Sequence, residues 1–165
     1  MRLNNNFQID VGGQRDARKW WIQYFDKAKL LLFLAAVSEY DQVLAEDLST
    51  NRLKESLDLF GQLINNSFFK NTDVLIFLNK TDLLEEKLKT KALKNYFQDY
   101  DQPNEIGPAL EYFAKLFLDQ NDNFNSKRFI ISKPTCAVDT ENIKAVSKVV
   151  TFSIMKKSVL DIGLE

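Results

Sequence analysis

Two stretches of this chain are apolar without interruption, and they limit its fold more than anything else in it. Lys29 to Val37 (KLLLFLAAV) is continuously apolar after its lysine, and so is Val74 to Leu78 (VLIFL). Neither alternates as a strand with one wet face would. Each reads as a parallel strand buried on both faces, which requires helices above and below the sheet. Such a helix is legible between them. Leu53, Leu57, Phe60 and Ile64 fall at i, i+4, i+7 and i+11, one apolar stripe. Ser49 or Thr50 could cap its start, and Asn65-Asn66 ends it. Strands alternating with helices mean an α/β fold with a mostly parallel sheet. A length of 165 residues fits a single domain spanning 1–165.

The rest of the chain extends this pattern. Phe7-Gln8-Ile9 reads as a short strand, Asp10 to Gln14 as a glycine turn, and Arg15 to Ile22 as the start of a helix. Asp41 to Asn51 is a polar loop. Glu85 to Phe97, charged with sparse leucines, reads as a surface helix, and Asp99 to Pro108 as a loop. Ile106, Leu110, Phe113 and Phe117 set a helix near 106–119. Asp119 to Lys127 is a polar loop, and Phe129-Ile130-Ile131 a further short buried strand. Thr140 caps a last helix over 142–157 with Ile143, Val146, Val149, Val150 and Ile154 on its buried stripe. Gly163 can close it in a left-handed cap.

Several functions are excluded by what the composition lacks. The net charge is −1, so no basic excess points to nucleic acid or a membrane surface. There is no histidine, which removes histidine triads, metal sites and pH switches together. The single cysteine, Cys136, permits no internal disulfide and fits a reducing, cytoplasmic compartment. The N-terminus has neither a signal-peptide apolar region nor the glycine at position 2 that myristoylation needs.

Three motifs follow strands: Asp10-Val11-Gly12-Gly13-Gln14, Asn79-Lys80-Thr81-Asp82 and Thr135-Cys136-Ala137. Ligands of open parallel sheets sit at the carboxyl ends of the strands, so all three fall on the ligand side. In the first, adjacent glycines let a backbone N–H approach an anion. Asp10 could orient a metal-bound water, and Gln14 could point its amide at an attacking water. A plain Gly-Gly turn capped by an aspartate reads the same way. In the second, a carboxylate at Asp82 can accept two parallel hydrogen bonds from guanine N1–H and its 2-amino group. A buried Asp82 would be left unpaired by adenine. Asn79 can bond the N7 side and tie neighbouring loops together, and the stem of Lys80 can cover the ring. In the third, a small residue lets a backbone N–H reach guanine O6. Cys136 could equally be a small core hydrophobe.

Taken in order, Asp-Val-Gly-Gly-Gln-Arg at 10–15, Tyr-Asp-x-Val-Leu-Ala-Glu-Asp at 40–47, Asn-Arg at 51–52, Glu-Ser at 55–56, Phe-Leu-Asn-Lys-x-Asp at 77–82 and Thr-Cys-Ala-x-Asp at 135–139 resemble a heterotrimeric G-protein alpha subunit. The likeness covers nearly the whole chain, and the ending Asp161-Ile162-Gly163-Leu164 is similar to the tail of the inhibitory class. The resemblance implies a Ras-like GTPase fold and the binding of GTP or GDP with Mg²⁺. Asp10, Val11, Gly12, Gly13, Gln14, Asn79, Lys80, Thr81, Asp82 and Ala137 then line the nucleotide. Gln14 is the catalytic residue and Asp10 reaches the metal through water. It also implies signalling downstream of G-protein-coupled receptors at the inner face of the plasma membrane. The receptor would bind through the C-terminal helix, and a βγ dimer or an effector through the switch II segment, residues 15–25. Trp21 and Phe25 are the aromatic contacts expected there, with core packing as their other role.

The chain departs from the family in ways that bear on activity. No G-x-x-x-x-G-K-[ST] occurs in its 165 residues, so no P-loop cradles the α- and β-phosphates. The P-loop strand, the switch I arginine and threonine and the inserted helical domain have no counterpart either, and no direct metal ligand is present. The expectation is a partial GTPase domain, inactive alone and marginally stable, with two unpaired edges or a gap in its sheet. The alternative is a non-catalytic interaction fragment that binds receptor or βγ. Ile162 stands where the inhibitory class has its toxin-modified cysteine, and Ala17 where switch II has a glutamate.

Overall fold

The computed structural model describes residues 9–12, 18, 21–25, 28–122, 128–136, 139, 144, 148, 150 and 151. Within them runs a short helix α1 (Ile22–Phe25), then strand β1 (Leu30–Ala36) and helix α2 (Arg52–Ile64). Strand β2 (Asp73–Asn79), helix α3 (Thr81–Leu88), helix α4 (Ile106–Leu118) and strand β3 (Ile130–Pro134) follow. Single turns of 3₁₀ helix occupy Val37–Glu39, Ser67–Phe69 and Leu93–Asn95. The described strands form one parallel sheet in the order β1-β2-β3. Leu30 pairs with Asp73 and Ala36 with Asn79, while Val74 pairs with Ile130 and Leu78 with Pro134.

One face of this sheet carries the main core. Phe33, Ala35 and Val37 from β1 and its end, with Val74, Ile76 and Leu78 from β2, pack against α2 and α4. Phe33, Phe60 and Phe117 meet there with ring centroids 4.9 to 5.9 Å apart, edge to face or tilted. The helical stripe read from the sequence is the one buried: Leu53, Leu57, Phe60 and Ile64 all lie inside. Such aromatic contacts add to the area they bury.

The apolar runs differ in how far they are buried. Only β2, the middle strand, is buried on both faces from Val74 to Leu78. Leu34 of β1 is 62 % exposed, and Phe129 and Ile131 are also exposed. Among the described residues β1 and β3 are the sheet's edges, and an edge strand gains burial from one neighbour only.

Element ends show what local chemistry decides. The cap of α2 is Asn51, whose Oδ1 accepts from Leu53 N–H (2.9 Å) and Lys54 N–H (3.1 Å). The candidates Ser49 and Thr50 instead donate their hydroxyls to Asp47 at 2.7 and 2.6 Å. The expected surface helix over 85–97 begins earlier and stops sooner, at Thr81 and Leu88. Asn104 ends it: Nδ2 donates to Leu88 O (2.5 Å), while Oδ1 accepts from Leu93 N–H (2.9 Å). Satisfying that end lets the chain turn, which buries Leu88, Leu93, Phe97 and Tyr100.

The strand expected at 7–9 and most of the last helix lie outside the described residues; Ile9 to Gly12 have no regular structure, and Lys144, Lys148, Val150 and Thr151 are helical.

Candidate functional site

The exit of β2 is where the geometry is most particular. Asn79 is its last residue, and Lys80 then turns into the left-handed region, φ 64° and ψ 41°. It is the one non-glycine residue with positive φ among those described. That conformation is costly for a lysine and persists where surrounding contacts fix it. The turn starts α3 at Thr81 and leaves Asp82 exposed in its first turn, where a carboxylate is favoured by the helix dipole.

What fixes Lys80 is a carboxylate from the neighbouring strand end. Glu39, in the turn after β1, accepts from Lys80 Nζ at 2.6 Å and from Arg52 NH1 at 3.1 Å. Burial raises the Glu39 pKa, but the lysine and arginine outweigh it and hold the carboxyl below its ordinary value. Arg52 Nε also donates to Val43 O (3.0 Å). The 40–47 segment is thereby tied to the start of α2.

Two residues on, Asp41 holds the far end of α3. Its carboxylate accepts from Lys87 Nζ and Lys91 Nζ, each at 2.5 Å, and Lys87 also donates to Ser38 O (2.8 Å). Tyr40 is fully buried and donates its hydroxyl to Lys91 O (2.8 Å). Burial above all pushes the Tyr40 phenol up to about 12, with the Asp41 charge adding to it. The helix that carries Asp82 is thus gripped at both ends by one turn.

The exit of β3 lies against the exit of β2. Thr135 is buried; its N–H donates to Leu78 O (2.9 Å), and its carbonyl accepts from Thr81 N–H (3.4 Å) and Thr81 Oγ1 (3.2 Å). Sequence reasoning gave Asn79 the task of tying neighbouring loops. The Asn79 side chain instead turns onto the next residue, its Oδ1 accepting from Lys80 N–H (2.8 Å). Asp82 is exposed.

At the first motif Asp10, Val11 and Gly12 are described and exposed. Gly13, Gln14 and Ala137 lie outside the described residues. Gly12 O accepts from Trp21 Nε1 at 3.0 Å. Trp21 is 8 % exposed and belongs to the core, the second of the two roles expected of it. Phe25 is half-buried against Phe68 and Phe69 (centroids 6.2 and 4.5 Å), while Tyr24 and Phe68 are exposed. Arg18 NH1 bridges to Glu55 Oε1 on α2 at 2.9 Å.

Among the described residues no three acidic, histidine or cysteine side chains gather to hold a metal. A cavity of about 290 Å³ between α3 and α4 is lined by Glu85, Leu88, Lys89, Asn104, Glu105 and Ile106. None of these is a site residue read from the sequence, and the cavity is not at the strand exits.

Comparison with known proteins gives one consistent answer. The family model described as G-protein alpha subunit matches residues 2–154. A guanine nucleotide-binding protein alpha-4 subunit of Dictyostelium discoideum is 46% identical over 151 residues, covering 92% of this chain and 43% of that protein. Alpha-8 subunits of Caenorhabditis elegans and Caenorhabditis briggsae are each 42% identical over 166 residues, 100% of this chain and 45% of theirs. The chain thus spans less than half the length of these curated relatives.

Proposed function

Because the chain belongs to the G-protein alpha subunit family, we propose that it carries the guanine-recognition part of a GTP-binding signal transducer. The observation that supports this best is the meeting of Asn79-Lys80-Thr81-Asp82 with Thr135 at the ends of adjacent parallel strands. On this reading Asp82 accepts from guanine N1–H and the 2-amino group, the stem of Lys80 covers the ring, and Ala137 N–H meets O6. Asn79 addresses the N7 side. GTP hydrolysis, with Gln14 orienting the water near Asp10, Val11, Gly12 and Gly13, belongs to the whole protein of this family and needs phosphate and Mg²⁺ contacts from further residues.

The same reading extends to partners. The last helix serves a G-protein-coupled receptor, and the 15–25 segment with exposed Tyr24 and Phe68 serves a βγ dimer or an effector, at the inner face of the plasma membrane. Among the described residues no helix is long and apolar enough to cross a membrane.

The test is base exchange at a carboxylate. An amide at position 82 donates where the carboxylate accepted, so Asp82→Asn turns the site from guanine towards xanthine, whose C2 carries an acceptor. The 165-residue chain and this variant are titrated calorimetrically with GDP and xanthosine diphosphate. The parent binding GDP over xanthosine diphosphate by about tenfold or more, with the preference reversed in the variant, supports the reading. Equal affinities in both proteins refute it.

A further inference from the structure

Among the described residues, the two halves of the proposed base site meet beyond the strand ladder at one carbonyl oxygen, that of Thr135. The β2–β3 pairing ends at Leu78 opposite Pro134, and one further backbone bond, Thr135 N–H to Leu78 O (2.9 Å), carries it past the strand end. Beyond that point the ladder has nothing left to give. Thr135 O then faces the first residue of α3, where helix N–H groups lack partners within the helix. The Thr81 N–H reaches it at 3.4 Å, at the long limit of a hydrogen bond, while the Thr81 hydroxyl reaches it at 3.2 Å. Asn79, which chemistry alone would have chosen for this task, spends its acceptor on Lys80 N–H. Thr135 is buried, so its carbonyl has no ready substitute in water if these donors leave.

We propose that Thr81 is a positioning residue for guanine recognition, its hydroxyl latching the β3 exit to the β2 exit. This rests on the guanine reading above and adds to it a residue that does not itself contact the base. A hydroxyl at this position is a feature of this chain's Asn-Lys-Thr-Asp, since the motif leaves the third place open. The latch sets the distance between Asp82, which meets one edge of the base, and the backbone after Thr135, which meets another. Without it the join past the strand end rests on Thr135 N–H to Leu78 O and the long Thr81 N–H bond, the spacing loosens, and a base that must touch both halves binds less well.

Thr81→Val removes the hydroxyl with little change in shape, and Thr81→Ser keeps it. Hydrogen exchange of the peptide spanning 134–139 is measured in the nucleotide-free chain, together with calorimetric binding of GDP. Faster exchange in Thr81→Val and GDP binding weaker by about three- to tenfold, both restored in Thr81→Ser, supports the latch. Unchanged exchange in Thr81→Val overturns it, as does faster exchange with GDP affinity intact. A serine variant that behaves like valine also overturns it, because the hydroxyl is then not the operative group. A parent chain that binds neither GDP nor guanosine, whose base asks for no phosphate contact, overturns the guanine reading and the positioning role with it; a parent that binds either alongside an equally tight Thr81→Val overturns the latch alone.

Discussion

Asp41→Asn is the substitution whose cost the structure defines best. The Asp41 side chain is 2 % exposed and accepts from two ammonium groups, Lys87 (25 % exposed) and Lys91 (50 % exposed). An asparagine fits the same space and keeps one acceptor, but it places an NH₂ donor against a second ammonium donor. Fully buried pairs lose about 3–5 kcal/mol when one partner is removed, because the other charge is stranded. That limit is not reached here, since Lys91 can turn its head into water and Lys87 retains Ser38 O. What is lost is one charge-assisted hydrogen bond to Lys87 and the charge that drew it, about 2 kcal/mol. With a urea m-value of about 2 kcal/mol per molar, the unfolding midpoint falls by about 1 M.

The same substitution has a pH signature. Burial raises the Asp41 pKa, but the bonds and charges of Lys87 and Lys91 outweigh it and hold the carboxyl below its ordinary value. A folded-state pKa below the unfolded one stabilises the fold fully above the unfolded value, about 4, and the benefit is lost as pH falls through the folded value. The gap between parent and Asp41→Asn should therefore be widest near pH 7 and close in acid. Urea unfolding followed by far-UV circular dichroism at a series of pH values measures it. A gap that does not change with pH would show that Asp41 acts by packing, and a gap below about 0.5 kcal/mol would refute the clamp.

Three further outcomes follow from named contacts. Glu39→Gln weakens two ion pairs whose cations are over a third exposed, so it should cost no more than about 1 kcal/mol in thermal unfolding, and less at high salt. Asn51→Ala removes the α2 cap and also the Nδ2 bond to Tyr40 O (2.6 Å); a loss of about 1–2 kcal/mol is expected in urea unfolding, and Asn51→Ser should recover only the cap portion. Phe60→Ala empties the space between Phe33 and Phe117 and should cost about 3–5 kcal/mol, enough for calorimetry to show a broadened or missing unfolding transition.

Much of this architecture was legible because periodicity reports burial. The α2 stripe and the β2 run came through with their boundaries nearly right, since each is decided by many residues at once. What was not legible depends on a single side chain meeting a distant one. Asp47 diverts Ser49 and Thr50 from capping α2, and Asn104, sixteen residues after Leu88, ends α3. Arg128 drew no reading from the sequence, yet it is buried and donates to Ile64 O (2.7 Å), Phe69 O (2.8 Å) and Asn121 Oδ1 (2.5 Å). It caps the carboxyl end of α2 with positive charge, and burial lowers its pKa. Leu34 shows the converse. Its neighbours in sequence gave no hint that it lies on an edge strand, because edge and centre differ by pairing and not by composition.

The site residues divide along the same line. The assignment of Asn79, Lys80 and Asp82 to a base is a proposal that comes from hydrogen-bonding chemistry and was available in the sequence. How they are held was not. The turn after β1 puts Glu39 on the lysine before α3, and Asp41 on the lysines at and beyond its end, so one short segment spans a helix of eight residues. The parallel register explains why this is possible: Ala36 lies opposite Asn79, so both strands end at one level and their exits emerge side by side. The left-handed conformation of Lys80 follows from that arrangement. Its backbone must turn at the strand end to begin α3 while its ammonium reaches back to Glu39, and the ion pair and the helix start together oppose the strain of positive φ. The turn at Lys80 thereby fixes where the backbone leaves β2 and enters the first turn of α3, which carries Asp82 two residues on.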